Sequence, residues 1–162
     1  MGFSANVLVG VATLSIKYPI GGSYVDVGYT EDGVRFEYSA EKTTIRVEEK
    51  TYPISQVINT ESLKVTANLA EATLHNLFIA MAGASQVGNI ITIGNGLDKE
   101  MSIKIVGKNP AGFNRTIEIP VAVASGTVGI AWRKNEKTVI PVTFEAMESP
   151  SGNLGTITDA TS

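Results

Sequence analysis

Short runs of alternating apolar and polar residues recur along the chain, and turn-forming residues separate them. In the clearest run, Val34, Phe36 and Tyr38 alternate with Arg35 and Glu37. This two-residue period is typical of a β-strand that buries one face and exposes the other. Because short strands with frequent turns indicate packed antiparallel sheets, the sequence predicts a mainly β fold.

We expect strands along most of the chain. The strand predictions cover residues 5–17, 34–38, 45–47, 63–67, 89–93, 101–106, 115–119, 127–132 and 138–147. Residues 19–33 are predicted to form a turn-rich connection, and residues 39–42 a hairpin turn. Residues 49–61 are predicted to form a long loop, because Pro53 lacks the backbone donor that a central strand needs.

A single segment has helical spacing instead. Its apolar residues recur every three or four positions, at Ala70, Leu74, Leu77, Phe78 and Met81. This spacing predicts one helix over about 69–82, ended by Gly83. Two starts are open: Asn68 with Glu71 resembles a capping box, but the preceding strand could run on to Leu69. The predicted fold therefore has two packed antiparallel sheets, sandwich- or barrel-like, flanked by one helix. Its predicted core comprises Phe36, Ile45, Val65, Leu74, Leu77, Phe78, Ile105, Ile130, Val142 and Phe144.

The length of 162 residues fits one domain. We predict a single β domain over 1–148 and a small-residue, polar tail over 149–162 that only a neighbour orders. The apolar stretch 6–16 has no preceding Lys or Arg, and it is shorter than the roughly 20 residues of a membrane helix. Neither a signal peptide nor membrane insertion is therefore predicted.

The composition argues against several classes of site. A formal charge of -3 gives no basic surface for gripping nucleic acid. The chain has no cysteine, which excludes disulfides and thiolate chemistry, and it has a single histidine. We therefore predict no metal and no cofactor.

Candidate catalytic groups are few. His75 lies on the predicted helix with no evident nucleophile beside it, and Asp98 with Glu100 offers too few oxygens for calcium. The segment 94–96 lacks the further residues of a phosphate-binding loop, so it is interpreted as a tight turn. Residues 114–116 match the N-glycosylation triplet, which often occurs by chance. No catalytic residue is predicted, so the chain is not expected to be an enzyme.

Trp132 ends a predicted strand and is interpreted as a core or interface anchor, with sugar stacking as the alternative. The competing function class is a carbohydrate- or receptor-binding β-sandwich module, which would favour exposed aromatic residues on loops. A hydrolase would need paired carboxylates. Glu37 and Glu48 could be neighbours across a hairpin, but they are better explained as surface charges.

The order of segments from Val27 to Ala146 has a recognisable form. A turn rich in glycine and acidic residues opens the strand within 27–38, and the strand 65–69 runs directly into a small-residue helix. The later segments are the turn 107–112, the strand 115–117, the segment 120–126 and the closing strand 139–146. This series resembles the tail tube (major tail) proteins of bacteriophages, which share their fold with contractile-tail tubes, tailocins and the type VI secretion ring protein.

The resemblance implies a structural virion protein. Six subunits would form a ring, and stacked rings would form a hollow tube through which DNA passes into the host without specific binding. The implied partners are further copies of the chain and other tail proteins, such as the tape measure, terminator or sheath. The implied location is the virion, after assembly in the cytoplasm of the bacterial host. The alternative within this fold is the inner tube of a tailocin or of another contractile injection system.

Two surfaces are predicted on this basis. The polar faces of the strands are expected to line the lumen, because their opposite faces must form the core. The lumen-facing candidates are Arg35, Glu37, Arg46, Glu48, Lys64 and Thr66. The long loop 49–61 is more apolar than a solvated loop needs, and the resemblance implies that it contacts the adjoining ring. We expect it to be mobile in the monomer and to order on stacking. Its predicted inter-ring contacts are Tyr52, Ile54, Val57 and Ile58.

Overall fold

The structure is a computed structural model that describes residues 10–161. Within these residues the chain forms ten β-strands and one α-helix. The strands are β1 (Thr13–Lys17), β2 (Tyr24–Asp26), β3 (Thr30–Ile45), β4 (Ser55–Leu69), β5 (Ala84–Val87), β6 (Ile90–Ile93), β7 (Glu100–Lys108), β8 (Asn114–Ser125), β9 (Ile140–Ala146) and β10 (Thr156–Asp159). The helix α1 spans Leu74–Ala80.

Eight strands form one antiparallel sheet. Seven of them follow the order β2-β1-β7-β8-β9-β4-β3, and β10 pairs with β8 off this path. Strands β5 and β6 form a second, two-stranded sheet. The predicted class, mainly β with antiparallel sheets and one principal helix, is therefore confirmed.

Strands from both ends of the large sheet share one core: β1 and β7 towards one end, and β9 and β4 towards the other. The buried side chains of these strands, of β8 and of the helix form one continuous cluster: Leu14, Ile16, Val65, Leu69, Phe78, Ile79, Met101, Ile103, Ile119, Ile140, Val142 and Phe144. Full burial of side chains of this size is the main stabilising contribution to such a domain.

Most of the predicted core is confirmed. Val65, Phe78, Ile105, Val142 and Phe144 are buried, and two further predicted residues pack against them while partly buried: Phe36 and Leu77. Two others are only partly buried: Leu74 and Ile130. The prediction for Ile45 was wrong, because its side chain is 41% exposed.

The first strand is shorter than predicted. It begins at Thr13, where pairing with Val106 of β7 starts, and its buried side chains are Leu14 and Ile16. Val11 lies before the strand and is exposed, so the prediction that places it in the strand was wrong. The predicted strand residues 5–9 lie outside the described part of the chain. Within the predicted connection 19–33, three residues form β2 against β1, and residues 30–33 already belong to β3.

The largest correction concerns β3 and β4. Residues 39–42 do not turn: β3 continues through them to Ile45, with one irregularity between Glu41 and Lys42. The chain reverses over 46–54 instead, which contains Pro53, and residues 55–61 of the predicted loop belong to β4. Cross-strand pairs extend the ladder beyond the expected turn, because each residue from Ser39 to Ile45 has a partner on β4. The irregularity leaves Asn59 of β4 without a partner on β3.

The helix is also shorter than predicted, because β4 runs on to Leu69. The N-cap is Thr73, whose hydroxyl accepts the Asn76 amide at 3.2 Å, rather than Asn68. The buried Asn76 side chain donates to the carbonyls of Val27 and Glu71, both at 2.8 Å. A polar side chain that is satisfied in this way fixes the position of the helix start against the neighbouring connection.

A buried lysine holds the other end of the helix. The Lys99 ammonium donates to the carbonyls of Met81, Ala82 and Ala84, and it lies 4.6 Å from the centre of the Phe78 ring. Burial lowers the pKa of Lys99, while Asp98 acts in the opposite direction. The carbonyl partners replace the water that the ammonium loses.

Two segments near the end of the chain differ from expectation. Residues 127–132 are not a strand, because the connection 126–139 contains only an isolated bridge between Arg133 and Glu136. The predicted tail 149–162 was expected to be ordered only by a neighbouring subunit, but part of it is ordered within the subunit itself. It includes β10, which pairs with β8 and carries Asp159 at 2.6 and 2.7 Å from the Arg115 guanidinium.

Candidate functional site

The long hairpin of β3 and β4 projects from the body of the protein. Strand β4 has 15 residues, and at about 3.4 Å per residue it is roughly 50 Å long. Strand β9 covers β4 only from Lys64 to Leu69. Beyond that point, every residue from Glu41 to Glu61 is exposed. The hairpin is therefore a two-stranded arm that is attached to the sheet at one end.

The predicted inter-ring residues lie on this arm. We call residues 46–54 the hairpin tip; it contains Tyr52, which is 80% exposed, and Ile54, which is 50% exposed. Val57 and Ile58 follow on β4, opposite Thr43 and Lys42, and each is 49% exposed. The structure thus brings all four predicted residues to one end of the molecule, where no other described residue covers them.

Four of the six predicted lumen-facing residues share one face of the sheet. Arg35 pairs with Thr66 and Glu37 with Lys64, directly across the two strands. Lys64 also lies 3.2 Å from Glu145 of β9, and Arg35 lies 2.5 Å from Glu37. The opposite face of these strands carries buried apolar side chains, so this polar face points away from the core.

The other two predicted residues lie elsewhere. Arg46 and Glu48 are in the hairpin tip rather than on the polar face. Because Glu37 faces Lys64 in the ladder, Glu37 and Glu48 are not paired across the hairpin. The structure therefore divides the six candidates between a face and a tip.

The polar face carries charges of both signs. On the adjoining strands, Lys104 lies 3.6 Å from Glu118, and this pair repeats the arrangement of Lys64 with Glu145. These ion pairs are partly exposed, so each contributes little to stability. Their effect is to leave no continuous basic stripe along the face.

The candidate catalytic groups remain isolated. Desolvation lowers the pKa of His75, and its Nε2 atom has no hydrogen-bond partner among the described residues. In residues 10–161 no cluster of three or more potential ligands could hold a metal ion. The segment 94–96 forms a turn in which the Asn95 side chain accepts the Leu97 amide at 2.9 Å. Among the described helices none has the length and apolar character to cross a membrane.

Sequence reasoning missed one exposed feature. The connection from β8 to β9, residues 126–139, carries Trp132 with 86% of its surface exposed. Alternation of Val128 and Ile130 suggested a strand that would bury this tryptophan, and that core interpretation was wrong. The basic residues that follow Trp132, at Arg133, Lys134 and Lys137, are the signal that favours an exposed loop.

No family model matches the sequence, and no curated protein matches it. Solved structures share the fold. A chain from the sheath–tube complex of PVC, an extracellular contractile injection system, in its extended state, has a TM-score of 0.58 at 12% identity. That match covers 95% of this chain and 92% of the other. A chain from the six-fold symmetrised baseplate of the anti-feeding prophage has a TM-score of 0.52 at 8% identity, covering 98% and 97%.

At this level of identity the likeness concerns the fold. It confirms the predicted tail tube fold over nearly the whole chain.

Proposed function

We propose that this chain is the structural subunit of a tail tube, in which copies form rings and the rings stack into a hollow conduit. The observation that carries the proposal is the long, fully exposed arm on a fold shared with a sheath–tube complex. An isolated two-stranded hairpin is marginally stable in water. An arm with six exposed apolar residues is therefore explained best by a second copy that covers it.

Six subunits per ring is the stoichiometry that we propose. One structure with this fold belongs to a six-fold symmetrised assembly. Closed rings also suit the free edges of the large sheet, since β2 and β3 each lack a neighbour on one side among the described strands. Edge strands of this kind favour pairing with another chain unless they are covered.

The polar face of β3, β4 and β9 is proposed to line the conduit, with Arg35, Glu37, Lys64 and Thr66 exposed to its interior. Its charges are mixed in sign, and the chain as a whole carries a charge of -3. A wall of this kind neutralises few phosphates, so DNA can pass without being retained. We propose no catalytic role for any residue of this face.

The proposed partners are further copies of the chain and other tail proteins: the tape measure, terminator or sheath. The proposed location is the virion, after assembly in the host cytoplasm. A second candidate is the inner tube of a contractile injection system, which the two likenesses described above favour. Nuclease protection of DNA within purified particles distinguishes the two, because only a genome-delivering tube belongs to a DNA-filled particle.

The hairpin tip and the adjoining part of β4 are proposed to form the inter-ring contact. The test replaces Ile54 and Ile58 together with Ser and examines the purified protein by negative-stain electron microscopy. We expect loss of stacked tubes with the melting temperature unchanged, because both side chains are about half exposed in the subunit.

The matched control replaces Ile90 and Ile93 with Ser, which removes two exposed isoleucines from β6 instead. This control is expected to form normal tubes. Normal tubes from the Ile54/Ile58 variant would refute the stacking role. A wild-type chain that stays monomeric under all assembly conditions would refute the tube itself and favour the receptor-binding alternative.

A further inference from the structure

The β8–β9 loop, residues 126–139, lies at the end of the sheet opposite the hairpin tip. It leaves β8 after Ser125 and enters β9 at Ile140, which pairs with Leu69 at the far end of β4. Leu69 in turn pairs with Thr30 at the start of β3. About 50 Å of strand therefore separates this loop from the hairpin tip.

The β8–β9 loop is held in a defined shape. Lys137 lies 3.1 Å from Glu31 of β3, and Arg133 lies 2.8 Å from Glu136 across the isolated bridge. The Thr138 hydroxyl donates to the Ala131 carbonyl at 3.1 Å. The Lys137–Glu31 pair joins the loop to the sheet, and the other two contacts lie within the loop that carries Trp132.

A cavity of about 430 Å³ lies in the β8–β9 loop, and its lining includes Ala131 and Arg133, the sequence neighbours of Trp132. Its lining combines apolar residues, such as Ile130 and Val139, with the charged residues Arg133, Glu136 and Lys137. A concave surface that combines apolar and charged groups can receive a large side chain from a partner.

The two ends of the molecule both expose apolar and charged groups. The β8–β9 loop has three basic residues and one acidic residue, so it carries a formal charge of +2. The hairpin tip has two acidic residues, Glu48 and Glu49, and two basic residues, Arg46 and Lys50, so its formal charge is zero. Its two carboxylates are adjacent in sequence, near the exposed side chains of Tyr52 and Ile54. Neither carboxylate is in an ion pair within the described chain.

Stacking of identical rings requires such a pair of surfaces. A head-to-tail contact joins two different patches of the same chain, and it continues as an open filament when the two patches lie at opposite ends. The hairpin tip supplies one patch, and the β8–β9 loop is an exposed aromatic surface at the other end.

We propose that the β8–β9 loop receives the hairpin tip of a second copy of this chain, with Trp132 as the anchor. Tyr52 or Ile54 fills the cavity, and Glu48 and Glu49 face Lys134, since Arg133 and Lys137 already pair with Glu136 and Glu31. This inference rests on the proposed tube, because it names the receiving surface for the contact that joins one ring to the next.

The test uses disulfide trapping, for which the chain is well suited because it has no cysteine. One variant carries Glu49→Cys and a second carries Lys134→Cys, so that Tyr52, Ile54 and Trp132 are retained. The two variants are assembled together, oxidised and separated without reductant. We expect a covalent dimer from the mixture, none from either variant alone, and a ladder of multimers when both changes are in one chain.

The outcomes separate the inference from the function on which it rests. Tubes that form without the mixed dimer would overturn the receiving surface and leave the tube proposal standing. A dimer from Glu49→Cys alone would overturn the head-to-tail geometry, because it would show tip meeting tip. A wild-type chain that forms no tubes would overturn both.

A second variant tests the anchor itself. Trp132→Ala is expected to raise the protein concentration needed for tube formation at least about 10-fold, since truncated aromatic anchors commonly cost more than that in affinity. Folding should be unchanged, because the side chain is 86% exposed. Ile90→Ala, another exposed residue, is the matched control and should assemble at the wild-type concentration. An unchanged assembly threshold for Trp132→Ala would overturn the anchoring role.

Discussion

The hairpin of β3 and β4 has two halves that share strands and pairing but differ in burial. The inner half, residues 30–39 and 62–69, carries Leu63, Val65 and Leu69, which are all buried. The outer half, residues 40–45 and 55–61, has comparable apolar residues in Val57 and Ile58, which are half exposed. The same backbone ladder therefore supports a core in one half and a bare arm in the other.

The difference shows that burial of the hairpin's apolar side chains depends on a third strand, β9. Strand β9 pairs with β4 only along the inner half, and the buried side chains of this half share one core with those of β1 and β7. Alternation predicts which side chains share a face, but it does not predict whether anything lies against that face. In the outer half nothing within the described chain does, so Val57 and Ile58, which as consecutive strand residues point to opposite faces, are both left exposed.

The largest expected effect on stability comes from a substitution in the inner half. Leu69→Ala should lower the free energy of unfolding by about 2–5 kcal/mol, because its fully buried side chain would leave a cavity. Chemical denaturation measures this loss. Leu97→Ala, at an exposed position, is the control and should stay within about 0.5 kcal/mol of wild type. A Leu69 variant as stable as that control would place the side chain outside the core.

A matched pair on one strand sharpens the comparison. Val65→Ala should cost on the order of 2 kcal/mol of subunit stability, since two buried methyl groups are lost. Val57→Ala, the same change on the outer half of β4, should cost less than about 0.5 kcal/mol and weaken tube assembly instead. Equal destabilisation of the monomer by both changes would show that the outer half is packed within the subunit.

Much of the fold follows from local pattern. The alternation around Phe36 and Val65 correctly predicts two strands with one buried face, and the spacing of Leu77 and Phe78 predicts the helix. These signals are local, because each residue's neighbours in sequence are also its neighbours on a strand or helix face. The predicted fold class therefore follows without knowledge of the strand order.

The predictions that were wrong concern residues whose structure depends on partners distant in sequence. Residues 39–42 contain no proline or glycine, and their extension into β3 depends on strand partners about 20 residues away on β4. Ile45 has the same alternation as Phe36, yet only Phe36 has a strand layer opposite it. The sequence next to Trp132 favours an exposed loop, but it does not predict the end of the sheet at which this loop lies, because that is set by β9.

The smallest expected effect lies at the junction of the two halves. The Tyr38 hydroxyl donates to the Glu61 carboxylate at 2.6 Å, and this hydrogen bond is the main cause that raises the pKa of Tyr38 above its ordinary value. A hydroxyl held in its neutral form contributes stability that is present below the unfolded pKa, about 10, and is lost as the pH rises through the folded value. Alkaline pH should therefore loosen this junction first.

Glu61→Gln removes the negative charge and should return the pKa of Tyr38 towards its ordinary value. Phenolate absorbance during an alkaline titration measures this shift, and subtracting the same titration of Tyr38→Phe isolates the one ring among five tyrosines. Glu49→Gln makes the same charge change in the hairpin tip and should leave the pKa of Tyr38 where it is. An identical Tyr38 titration in wild type and Glu61→Gln would show that the two strands already separate at this pair in the free subunit. In that case the boundary between a packed inner half and a bare outer half would lie closer to the body, near Leu63, and the arm available to a second copy would be longer.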